Sequence, residues 1–235
     1  MDYFVDLHIH IGRTMSGKPV KITASKSLTL TNILIEASNR KGLHMVGVID
    51  CHVPEVLEEI EGLIEKNKAY EKEKGGVQFE DVTLLLGSEI EIYDENCHGP
   101  IHVLIFMPTI EMMKTFSNWF SKRVSNVTLS SQRMYGKATE LQEIVKQLGG
   151  LFIPAHIFTP FKSLFGKGVH KSLTEVLRPD LIDGVELGLS SDTAMASQIE
   201  ELNHYTFLTN SDAHSIPKIA REYQKVRMQD CSFEE

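Results

Sequence analysis

The chain has 235 residues, is 42% hydrophobic and 24% charged, and carries a net charge of −8 at pH 7. That length and apolar content suit one globular domain with a sizeable core, and the acidic balance argues against a general polyanion binder. No apolar run approaches the ~20 residues of a membrane span, and the first residues lack the basic start and small-residue cleavage site of a secretory leader. Cys51, Cys97 and Cys231 are irregularly spaced, which excludes a C-x-x-C zinc site or a disulfide framework and points to a reducing cytoplasm.

In chain order, "YFVDLHIHIG" opens as a strand. Residues two apart share a face, so Tyr3, Val5, Leu7, Ile9 and Ile11 form an apolar register, expected against outer helices. The opposite register ends in Asp6, His8 and His10, expected to point inward. The stretch 11–35 has no acid but holds Arg13, Lys18, Lys21 and Lys26. "HMVGVID" reads as a second strand, ending at Asp50 with His52 two residues on. A helix then starts at Pro54 and runs to about Ala69, with an acidic, solvated face. "VTLLLGSEIEIYD", carrying Glu89 and Glu91, and "IHVLIFM", carrying His102, form a hairpin across "ENCHGP".

Two helices are predicted next, over 109–124 and 138–150, the second closed by Gly149 and Gly150. "LFIPAHI" delivers His156, and "LIDGVELG" delivers Glu186. A helix from about Ser191 to Asn203 precedes "YTFLTNSDAH", which ends in Asp212 and His214. Between His156 and Ser172 there is again no acid, while Lys162, Lys167 and Lys171 alternate with Phe158, Phe161 and Phe165. Both acid-free loops suggest a local anion site. In "CSFEE", Ser232 stands three residues before Glu235, the spacing of a capping box. Residues 229–235 are therefore expected to be a stub leading from a 1–228 barrel into a further region.

Strands alternating with helices predict an α/β fold with a parallel sheet, open or closed. Nearly every strand delivers an ionisable side chain at its carboxyl end, where an α/β barrel of the TIM type gathers its active site. Imidazole mixed with carboxylate and free of thiolate suits zinc, manganese or iron. The set exceeds what one ion needs, so the expected cofactor is two or three divalent ions drawn from zinc, manganese, iron and magnesium. Clustered divalent ions recur in phosphoester hydrolysis.

Taken in order, "DLHIH", "IDCH", "GSE", His102, "AH" at His156 and "SDAH" resemble the motifs of the polymerase and histidinol phosphatase (PHP) superfamily, over Asp6 to His214. The resemblance implies a distorted seven-stranded α/β barrel, a trinuclear metal centre and phosphoester hydrolysis. The implied ligands are His8, His10, Glu89 as bridge, His102, His156, Asp212 and His214. "PAHIFTPFKSLFG" and "VELGLSSD" further resemble the PHP domain of endonuclease Q. That family nicks DNA 5′ of deaminated bases such as uracil and hypoxanthine, and of abasic sites, and carries further domains. Two departures stand out. "IGRTMSGK" offers no ligand after the H-x-H, and "DCHVPE" leaves either Asp50 or His52 as the ligand.

The expected activity is a metal-dependent DNA endonuclease. Arg13 and Asp212 would act at the reacting phosphate, Arg13 as a bidentate clamp. Lys162, Lys167, Lys171 and Glu186 would contact substrate. A small-molecule phosphatase of the histidinol-phosphate type and an inactive PHP module that binds metal or serves structurally are the alternatives.

Overall fold

β-Branched and aliphatic runs pair edge to edge in a computed structural model covering residues 1–235. The strands are β1 (Asp2–Ile9), β2 (Met45–Val48), β3 (Ala69–Glu71), β4 (Val77–Phe79), β5 (Val82–Ile92), β6 (Ile101–Met107), β7 (Arg133–Met134), β8 (Leu151–Pro154), β9 (Gly184–Glu186), β10 (Thr206–Leu208) and β11 (Gln224–Arg227). The helices are α1 (Leu30–Glu36), α2 (Pro54–Glu65), α3 (Ile110–Ser121), α4 (Ala138–Gln147) and the single-turn α5 (Thr193–Ala196). No helix is long and apolar enough to cross a membrane, and all three cysteines are free, buried thiols.

The sheet is mixed. β1 pairs in parallel with β2 and β2 with β5, while β6 runs antiparallel between β5 and β8. β9 and β10 form a separate parallel pair. No closed barrel is found. At one seam, the Asp183 and Ile157 amides donate to Phe152 O and Glu186 O (3.0 and 2.9 Å). At the other, Ala213 bridges β1, with its amide donating to His8 O (3.0 Å) and its carbonyl accepting from the His10 amide (3.1 Å).

Two apolar layers flank this sheet. Val5, Met45, Ile49, Leu85, Leu104, Phe106 and Ile153 pack together as one layer. Val46, Val48, Leu84, Leu86, Val103 and Ile105 pack outward with Leu34, Ile60, Phe116 and Leu141 of the helices. Gly47 and Gly87 make room for the Phe106 ring. A Cβ at either would lie 2.8 or 2.7 Å from it.

Several expectations are corrected here. The apolar register of β1 does not stay on one side: Val5 and Leu7 join the Phe106 layer, whereas Ile9 and Ile11 join the layer that packs with the helices. A register shift between Asp6 and Ile9 causes this. Asp6 is consequently not grouped with His8 and His10. It accepts from the amides of Ser211 (3.0 Å) and Ala220 (2.9 Å).

α2 stops at Glu65 because Asn67 adopts a left-handed conformation (φ 54°), a common helix stop. The charged run beyond it forms the β3–β4 hairpin, turned by Gly75 and Gly76 at φ 80° and 88°. The helix expected over 191–203 shrinks to α5, since the Ser197 hydroxyl donates back to Ala194 O (3.0 Å) and Ile199 turns extended. Serine competes with the helix ladder in this way. The tail packs on the hairpin: Cys231 O accepts from Thr83 Oγ1 (3.0 Å) and Lys72 Nζ (2.7 Å), and the Phe233 amide donates to Gly75 O (3.2 Å).

Candidate metal centre

The carboxyl ends of β1, β5 and β8, the start of β6 and the segment after β10 converge on one cleft of about 240 Å³. His8 and His10 enter from β1, Glu89 from β5, His102 from β6, His156 from just after β8, and Asp212 and His214 from beyond β10. Two sets of potential ligand atoms each lie within 4.8 Å of one another: His8, His10 and Asp212, then Glu89, His102 and His156. Glu89 Oε1 reaches His102 Nδ1 (2.8 Å), His156 Nε2 (3.3 Å) and His8 Nε2 (3.6 Å), so it links the two sets. His214 stands at the edge, its ring 4.5 Å from that of His10 and its Nδ1 3.5 Å from Asp212 Oδ1.

The backbone is strained where two of these side chains are presented. His156 (φ 31°) and Asp212 (φ 46°) both occupy the left-handed region, a conformation that costs about 1–3 kcal/mol and concentrates at functional sites.

The donor set fits divalent ions. His8 donates from Nδ1 to Glu186 Oε1 (2.9 Å), leaving Nε2 buried without a hydrogen-bond partner and 3.4 Å from Asp212 Oδ1. His10 Nε2 is likewise unpartnered, 3.6 Å from Asp212 Oδ1, while its Nδ1 faces Asp50 (3.3 Å) and Ser130 (3.1 Å). Metal-binding histidines are oriented by such a partner on the far nitrogen. Burial works against charge at His8, yet Glu186, Asp212 and Glu89 raise it to about 10. Burial and the nearby Lys21 lower His10. Burial would raise Glu89, but His102 and Lys21 hold it well below the usual carboxylate range.

Other expected site residues fall elsewhere. Asp50 accepts from the Ile11 amide (2.7 Å) and stands behind His10. His52 has Nδ1 against Ser88 Oγ (2.8 Å) and Nε2 toward Leu129 O (3.4 Å), so neither of these two joins the ligand sets. Glu186 is 1% exposed and saturated by His8, the Asn210 side chain (2.8 Å) and the His156 amide (2.9 Å). That corrects its expected role from touching substrate to orienting His8.

Arg13 donates to Gly17 O (2.7 Å) and does not line the cleft. Lys162 lines it, paired with Glu91 (2.8 Å), and Lys167 lies over the ring of Phe161, 71% exposed at the mouth. Lys171 sits in the turn held by Glu175. Ser131, whose hydroxyl donates to Glu89, carried no signal in the sequence, and Lys21, noted only within the basic stretch 11–35, sends its ammonium to Glu89 (3.2 Å). A larger open cleft of about 920 Å³ beside α2 is lined by Glu55, Glu58 and Glu59 but gathers no set of ligand atoms.

No protein-family model matches the chain. Over 232 residues it is 60% identical to the uncharacterized protein YqxK of Bacillus subtilis (strain 168), spanning 99% of this chain and 60% of that protein. It superposes with a TM-score of 0.82 and 29% identity on endonuclease Q, solved in complex with a 27-mer duplex bearing an abasic lesion at its active site, spanning 100% of this chain and 55% of that one. A two-domain protein of Bacteroides vulgatus with a PHP-like metal-dependent phosphoesterase region shares the fold at TM-score 0.52 and 13% identity, over 93% of this chain and 54% of that one. Its histidines and carboxylates thus meet in one cleft, in a fold similar to that of endonuclease Q and of a PHP-like phosphoesterase region.

Proposed function

We propose that this chain is a divalent-metal phosphodiesterase that incises DNA 5′ of a deaminated base or an abasic site, as endonuclease Q does. The observation that carries the reading is the pair of linked ligand sets at the strand ends, in a fold shared at 29% identity with an endonuclease seen on abasic DNA. In this reading β1, β2, β5, β6, β8, β9 and β10 make the distorted seven-stranded barrel, with each of its two seams bridged by a pair of backbone hydrogen bonds. Residues 1–228 are the metal-bearing unit in this reading, with 229–235 packed on the β3–β4 hairpin. The buried free thiols fit a reducing cytoplasm.

Two or three ions of zinc, manganese, iron or magnesium held by His8, His10, Glu89, His102, His156, Asp212 and His214 would supply Lewis acidity and an activated water. The protein's own groups do the rest. Glu186 and Asp50 orient the imidazoles, Lys21 and Lys162 place positive charge on the cleft wall, and Phe161 offers an exposed ring for an unstacked base. Removing a nucleotide from the stack costs a few kcal/mol and least for a weakly paired or damaged one.

A monoester phosphatase of the histidinol-phosphate type is the second reading. It is favoured by the net charge of −8 and by the pairing of Lys162 with Glu91 and of Lys18 with Glu55 (2.7 Å), which weakens any phosphate track. A labelled duplex carrying one uracil, hypoxanthine or abasic site, incubated with manganese, tests both. A nick 5′ of the lesion that disappears in Asp212→Asn is the expected result. Release of phosphate from a monoester without a nick would replace the first reading with the second.

A further inference from the structure

We infer that the ammonium group of Lys21 stands in for one cation of this centre, so that the cleft takes two divalent ions and not three. The inference rests on the metal-dependent reading above and narrows it.

Residues 11–35, which follow the H-x-H of β1, contain no histidine, cysteine or acid. This loop therefore cannot supply an anionic or imidazole ligand. It is nonetheless folded back onto the cleft: the Lys21 amide donates to Ile11 O (2.9 Å) and the Val20 amide to Gly12 O (3.0 Å). That clamp delivers Lys21 Nζ, on a side chain only 16% exposed, to 3.2 Å from Glu89 Oε2 and beside the Ser131 hydroxyl.

Glu89 is thus divided. Oε1 faces the imidazoles of His102, His156 and His8, while Oε2 faces an ammonium. A protonated amine has no lone pair to coordinate an ion, and a unit charge within a few ångströms repels a divalent cation strongly in a partly desolvated cleft. An ion seated on Glu89 Oε2 would have to displace Lys21. The ligand atoms that remain divide into two triads, which suit two ions. The Lys21 ammonium occupies Glu89 Oε2 and presents its remaining N–H donors to an anionic group entering the cleft.

The test measures metal content of the purified chain after saturation with Mn2+ and desalting, with Mn2+ titration calorimetry and melting curves on the same preparations. Two ions per chain are expected in the wild type and three in Lys21→Glu, whose carboxylate adds a ligand where the ammonium stood. Lys21→Met keeps the length and removes the charge, so it should bind Mn2+ at least about tenfold more tightly. With Mn2+ present it should bind inorganic phosphate about tenfold more weakly. Three ions in the wild type, or unchanged Mn2+ affinity in Lys21→Met, overturns the inference while leaving a metal enzyme in place. If Lys21→Glu fails to fold, Lys21→Met decides alone. A wild type that binds no ion at all removes the metal-dependent reading itself, and the inference with it.

Discussion

Glu186 shows how the environment of a side chain sets its use. Its two oxygens accept from His8, Asn210 and the His156 amide, leaving nothing free for a substrate. Its work is to hold the His8 ring with Nε2 facing Asp212. Glu186→Gln preserves the volume but removes the charge that orients and enriches the imidazole. Loss of such a partner typically costs about 10–100-fold in metal affinity. Zinc or manganese titration of the folded variant should show that loss, and an unchanged affinity would mean that His8 is oriented by something else. Asp50 and His52 make a related point. Two residues apart at a strand end, they read as a ligand pair, yet Asp50 Oδ2 is taken by the Ile11 amide and His10, and His52 Nδ1 by Ser88. Spacing announces ligand types but not which nitrogens and oxygens remain unpaired.

Elements depend on close contacts of the same kind. β2 and β5 approach Phe106 of β6 only because Gly47 and Gly87 lack a Cβ. Gly87→Ala should overpack this layer at a cost of about 1–3 kcal/mol, lowering Tm by several degrees. Gly62→Ala, in α2 with nothing within 4 Å of the added methyl, should raise stability slightly through helix propensity. Equal effects at both positions would mean that Phe106 yields. The turn after residue 170 offers a pH-dependent case. Glu175 accepts from the amides of Ser172, His170 and Lys171, and these bonds draw its carboxyl down from 4.5 to about 2. The folded value is depressed, so the contribution is present above pH 4.5 and lost as pH falls from 4.5 through about 2. The difference in melting temperature between wild type and Glu175→Gln should be present at neutral pH and vanish across that window. A difference that survives at its lower end would assign the effect to shape.

At the scale of the molecule, the centre is assembled from both ends of the chain, since His8 meets Glu186 and Asp212 only when the segment after β10 closes onto β1 through Ala213. Ions bound there favour this closure because the unfolded chain cannot bring those groups together. At free ion about a hundred times Kd the stabilisation is about 2.7 kcal/mol, which for a domain of this length is roughly 5–10 °C in Tm. Calorimetric scans with Mn2+ and after chelation should differ by that amount and converge when Mn2+ is restored. Coincident scans would show that the ions add nothing to the fold.

The sequence by itself determined strands β1, β2, β5, β6 and β8 of the main sheet, the alternation that brings His8 and His10 to one face, and the placing of acids and imidazoles at strand ends. It could do so because these follow from a period of two and from local ligand chemistry, which also carry the PHP resemblance. Only the tertiary structure decided which members of that set meet. The register shift in β1 separates Asp6 from His8, and hydrogen bonds from distant residues withdraw Asp50, His52 and Glu186 to supporting positions. The loop 11–35, unremarkable except for its missing acids, delivers Lys21 to Glu89 across 68 positions. Pairing over such separations depends on which loops pack together, and no local pattern encodes it.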